Sequence, residues 1–160
     1  MSTDPTSTDT VKARLQSDLT AAMKARDEVS LSTIRMLRSA ISTAEVAGDS
    51  AVELDDDQVI AVLQSEAKKR SESADVYEQA GRTELAAKER AELEVIERYL
   101  PAAMGDDELE AIVDDEIAKA AASGAEGGRA MGIVIKGVRE RAGASADGGR
   151  IAALVKSKLT

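Results

Sequence analysis

Three charged residues stand where a helical chain would place apolar ones. At roughly 100° per residue, Arg70 falls in the stripe formed by Leu63, Ala67, Ala74 and Tyr77. By the same count Glu89 and Glu92 fall in the stripe of Leu85, Leu93 and Ile96. Gly81 lies between the two segments and is a natural helix stop. A fold-back there sets Arg70 opposite Glu92 and Ala74 near Glu89, with Glu66 one turn before Arg70 as a second acceptor. Charged groups are seldom buried unless paired. The spacing therefore predicts an Arg70–Glu92 ion pair that fixes the register between two aliphatic faces. The sharper chemistry would be a catalytic or metal-binding carboxylate cluster, but no histidine accompanies these residues and no ligand spacing recurs.

The second set of residues with chemical potential is basic. Arg129, Lys136, Arg139, Arg141, Arg150, Lys156 and Lys158 all fall in residues 128–160, which hold 7 Lys and Arg against 2 Asp and Glu, a net of +5. Residues 1–127 hold 14 against 28, a net of −14, within a total of −9. Such asymmetry points to an anionic partner. No aromatic residue lies in the basic stretch, so stacking on bases is excluded and phosphate contact remains. The competing reading is a solvated helical face. Lys68-Lys69-Arg70 resembles a patch, but helical geometry points Lys68 outward, Lys69 sideways and Arg70 inward. Arg35 and Arg38 flank an apolar stripe and read as partners for acidic neighbours or as snorkelling edge residues.

The absence of histidine and cysteine excludes a Cys/His zinc site, a Ser-His-Asp triad, a thiolate nucleophile and a disulfide. The glycines at 124, 127 and 128 are not followed by Lys-Ser/Thr and follow no strand, so they form no phosphate loop. No cofactor is expected. No window reaches the run of about 18 apolar residues that a membrane helix needs. The amino terminus has neither a basic start nor an apolar region, and the expected location is cytoplasmic.

The elements that position these residues are helices. Apolar residues recur at spacings of three and four, and no stretch alternates with period two. With Tyr77 and Tyr99 as the sole aromatics, the core must be aliphatic and alanine-rich. Residues 1–9 are expected to be disordered. Helices are predicted over 10–27 (Val11, Leu15, Leu19, Ala22 and Met23 inward), 29–46, 56–80 and 83–99. Asp55 with Gln58 has the form of a capping box for the third. Pro101 ends the fourth, since the residue before proline is biased away from helix. Three shorter helices follow over 106–122, 129–141 and 148–159, separated by glycines. The expected architecture is all-α, with a four-helix domain over 10–101 and a three-helix domain over 105–160.

In order and spacing, several pieces together resemble the GatB/YqeY family, specifically its free-standing YqeY-like proteins. They include Ile34-Arg35-Met36-Leu37, Glu66-Ala67-Lys68-Lys69-Arg70, Tyr77-Glu78-Gln79-Ala80-Gly81-Arg82, Tyr99-Leu100-Pro101, Met131-Gly132 and Ala146-Asp147-Gly148. The resemblance implies four helices followed by three, and a relation to the tail of the B subunit of the Asp/Glu-tRNA amidotransferase. That tail contacts tRNA, while catalysis belongs to a separate domain that nothing here resembles. One departure is that Ile133 follows Met131-Gly132, where such proteins usually carry lysine. The leading expectation is a non-catalytic tRNA-binding or amidotransferase-related accessory protein without autonomous activity. Its partner would be tRNA or a tRNA-modifying amidotransferase or synthetase. The alternatives are a partner-dependent subunit of a glutamine-dependent carbon–nitrogen ligase and a helical protein–protein adaptor using the acidic amino-terminal domain.

Overall fold

A computed structural model describes residues 10–160, so the expectation of disorder at residues 1–9 lies outside the described residues. The described chain is all-α. Its helices are α1 (Val11–Ala25), α2 (Glu28–Glu45), α3 (Asp56–Gln79), α4 (Thr83–Glu97), α5 (Asp106–Ala122), α6 (Gly127–Ala142) and α7 (Gly148–Leu159), with a 3₁₀ turn at Gly143–Ser145. Among the described residues no helix is long and apolar enough to cross a membrane.

Local chemistry accounts for the boundaries. The Thr10 hydroxyl accepts from the Ala13 N–H and starts α1. Asp55 and Gln58 close a reciprocal capping box at α3, and Asp147 accepts from the Arg150 N–H at α7. The first helix stops at Ala25 rather than Asp27. Arg26 takes the left-handed conformation at φ 54°, and the Asp27 carboxylate is instead the N-cap of α2, accepting from the Ser30 N–H at 3.1 Å. That residue types favouring caps compete with helix interiors is the reason. The α3–α4 turn passes through Gly81 at φ 74°, a conformation that costs side-chain-bearing residues energy.

The chain divides into two compact units, one up to Leu100 and one over Pro101–Thr160. In the first, Leu15, Leu19, Ile34, Leu37, Ile41, Val59, Leu63, Val95 and Ile96 form an aliphatic core. Burying each such side chain stabilises by about 1.5–3 kcal/mol before entropy is counted. Tyr99 closes this core with its ring buried. Its hydroxyl donates to Asp18, and the Arg14 guanidinium sits 5.1 Å from the ring centroid. Two residues assigned inward by periodicity are not: Met23 is 53% and Leu85 is 38% exposed. On α4 the buried position is Ala86, one residue on. A small residue there lets the neighbouring helix approach, which a leucine would not.

In the second unit Leu109, Val113, Val134, Val138, Ile151 and Val155 pack with Ala120 and Ala142. The Met104 N–H donates to the Ser145 carbonyl at 2.7 Å, tying the entry of α5 to the end of the 3₁₀ turn.

Candidate functional site

Arg70 on α3 is largely buried, at 15% side-chain exposure, between Glu66 and Glu92 at 13% and 19%. Its Nη1 donates to Glu66 Oε2 at 2.7 Å and to the Glu66 carbonyl at 3.2 Å; Nη2 meets Met36 Sδ at 3.1 Å. Nε lies 3.4 Å from Glu92 Oε2 and makes no hydrogen bond, so that contact is coulombic. Glu89 is half-buried and has no ion-pair partner among the described residues. Nearer the turn, Arg90 reaches back to Glu78 and to Asp75 at 3.7 Å, a pair that sequence reading missed. The fold-back at Gly81 that brings α3 and α4 together was the available signal. No group of three or more Asp, Glu, His or Cys among the described residues is arranged to hold a metal ion. Glu66 and Glu92 both face a fixed guanidinium, and Glu66 also accepts from Lys69 at 3.0 Å, so the arrangement is a local ion-pair network centred on Arg70.

The basic end divides into two classes. Arg141 donates to Asp115 at 2.5 Å and to Glu116 at 3.1 Å. The Arg141 hydrogen bond, then that of Lys119, holds the Asp115 carboxyl below the ordinary carboxylate range. Lys158 contacts Asp114 at 2.7 Å and Glu110 at 2.8 Å, which together raise its pKa, Asp114 having the larger effect. Arg150 is held by Asp106 and by the Met104 carbonyl at 2.9 Å. These three are committed to α5. Arg129, Lys136, Arg139 and Lys156 are exposed and have no ion pair among the described residues.

This geometry corrects the charge arithmetic. The acidic helix α5 belongs to the same unit as the basic residues, and Pro101–Thr160 holds 8 Lys and Arg against 10 Asp and Glu, a net of −2. The +5 of residues 128–160 is therefore not the charge of a folded unit. What remains is a local face on α6. Arg129 and Lys136 are seven residues apart and share one side of the helix; Ile133 lies between them at 41% exposure, and Arg139 flanks them. The Arg139 guanidinium lies against the start of α7, where a Cβ on Gly148 would meet its Nη2 at 2.9 Å.

Comparison with known proteins assigns the chain to a family. Residues 12–159 match the family described as Yqey-like protein. A relative from Pyrenophora tritici-repentis (strain Pt-1C-BFP), named altered inheritance of mitochondria protein 41, mitochondrial, is 31% identical over 140 residues, spanning 82% of this chain and 73% of that protein. The chain belongs to the YqeY-like family.

Proposed function

We propose that this chain is a non-catalytic, tRNA-binding accessory protein related to the tRNA amidotransferase system. In this reading Arg129, Lys136 and Arg139 on α6 and Lys156 on α7 meet backbone phosphates. The observation that carries it is the contrast within the basic set: three cations are held by α5 carboxylates and four are exposed without a partner. An unpaired cation can release counterions from a polyphosphate directly, whereas one held by two carboxylates must first give them up. Both tyrosines lie outside Pro101–Thr160, so the contacts would position RNA without stacking on its bases. The two units act here as a four-helix and a three-helix domain. The place of action is the cytoplasm or another compartment where tRNA is charged, in keeping with the mitochondrial name of the relative. A tRNA titration at rising salt tests the proposal.

A second reading, a helical protein–protein adaptor, is favoured by Val76 and Leu85, which stand 64% and 38% exposed on the α3–α4 hairpin. It predicts a protein partner and no salt-sensitive RNA affinity. Participation in glutamine-dependent carbon–nitrogen ligation would leave the catalysis to such a partner.

A further inference from the structure

We propose that the cleft between α1 and α2 binds a small monoanionic carboxylate, with Arg38 as its charge partner and Ser39 and Ser42 as its hydroxyl donors. The cleft encloses about 320 Å³, at the lower end of the range for small-molecule sites. Leu15 and Ile41, both buried and apolar, also line it.

The charge sum of the walls selects the ligand. Lys12 donates to Glu45, and Glu45 also accepts the Leu54 N–H at 2.9 Å. The Lys12 bond, followed by that of Leu54, holds the Glu45 carboxyl below its ordinary value, so Glu45 stays an anion and Lys12 stays its counterion. These two cancel. Arg38 is exposed and has no ion-pair or hydrogen-bond partner among the described residues, and the Ser39 and Ser42 side chains have none either. Arg38, Ser42 and Glu45 recur at four and three residues, on one face of α2. One guanidinium is thus left uncompensated, flanked by two hydroxyls. A planar guanidinium matches a carboxylate with two parallel N–H···O bonds. A phosphate dianion would bring a second charge toward Glu45 with no cation to meet it.

The carboxylate could belong to a free aliphatic acid or to the C-terminus of a peptide. Amide chemical shifts of the full chain, followed by NMR at constant ionic strength, separate these. The probes are isovalerate, acetyl-valine, acetyl-valine amide and inorganic phosphate. Expected are saturable shifts at residues 38–45 with both carboxylates and none with the amide. Tighter acetyl-valine supports a peptide terminus, and tighter isovalerate supports a free acid. Arg38→Gln should weaken binding at least tenfold with unchanged helicity; Ser42→Ala should weaken it less. No saturable shift, unchanged affinity in both variants, or phosphate binding tighter than either carboxylate would overturn the proposal.

Discussion

Lys158 of α7 donates to Asp114 of α5 at 2.7 Å, so a lysine from the most basic stretch of the chain is neutralised within its own unit. Glu110 reaches the same ammonium at 2.8 Å. Asp114, then Glu110, raises the pKa of Lys158, and we expect this lysine to serve the packing of α7 on α5 rather than a ligand. Lys158→Gln is expected to lower the urea midpoint slightly and to leave the salt slope of RNA binding unchanged. A lowered slope would place Lys158 on the binding face instead.

Two glycines of α6 offer a matched pair. Gly132 has open space where a Cβ would stand, whereas a Cβ on Gly137 would collide with the Glu116 carboxylate. Gly132→Ala should recover most of the roughly 1 kcal/mol that glycine costs within a helix. Gly137→Ala should recover less, since Glu116 must leave Arg141 and Lys119. Urea unfolding checks this, and equal gains would contradict the close approach of α5 to α6.

Removing Arg70 leaves Glu66 and Glu92 facing each other across the hairpin. Arg70→Ala should cost on the order of 3 kcal/mol, as is typical of removing one partner from a buried pair. Arg70→Met combined with Glu92→Leu should cost less, because one carboxylate goes with the guanidinium and Glu66 keeps Lys69 at 3.0 Å. A double-mutant cycle measures the difference. Additive losses would show that the 3.4 Å contact contributes nothing.

Tyr99 contributes to the alkaline limit beside Lys119 and Lys158, whose carboxylate partners raise their pKa as well. Burial, then the hydrogen bond to Asp18, raises the Tyr99 pKa above the ordinary 10.0. A raised pKa means that its stabilisation is complete below pH 10 and is lost as pH climbs from there toward the folded value. The carboxyls of Asp27, Glu45 and Asp115 are shifted the opposite way, below 3.8, 4.5 and 3.8. Their stabilisation is present above those values and is lost as pH falls through the lower folded ones. Thermal melts against pH should therefore fall at both ends. Tyr99→Phe should flatten the alkaline side alone; an unchanged alkaline slope would remove Tyr99 from this role.

What could be read from the sequence was local. The Asp55–Gln58 capping box needs only three residues of separation, and the opposition of Arg70 and Glu92 needs only a turn at Gly81. What escaped depends on non-local packing. Tyr99 and Asp18 are 81 residues apart, and nothing in their spacing announces the bond. Leu85 satisfied the helical period, yet Ala86 faces inward, because close packing selects size as well as hydrophobicity. The charge split at residue 127 cut between α5 and α6, two helices of one unit, and so hid the three cations that α5 holds.

The most direct test is the affinity of the full chain for tRNA between 50 and 200 mM salt, alongside Lys136→Glu with Arg139→Glu. Three or four phosphate contacts predict that wild-type affinity falls roughly 40- to 150-fold over that range, by the counterion-release slope for duplexes. The double variant should bind at least tenfold more weakly at low salt, with a shallower slope and unchanged unfolding. No binding by the wild type at low salt, or equal binding by the variant, would contradict the account.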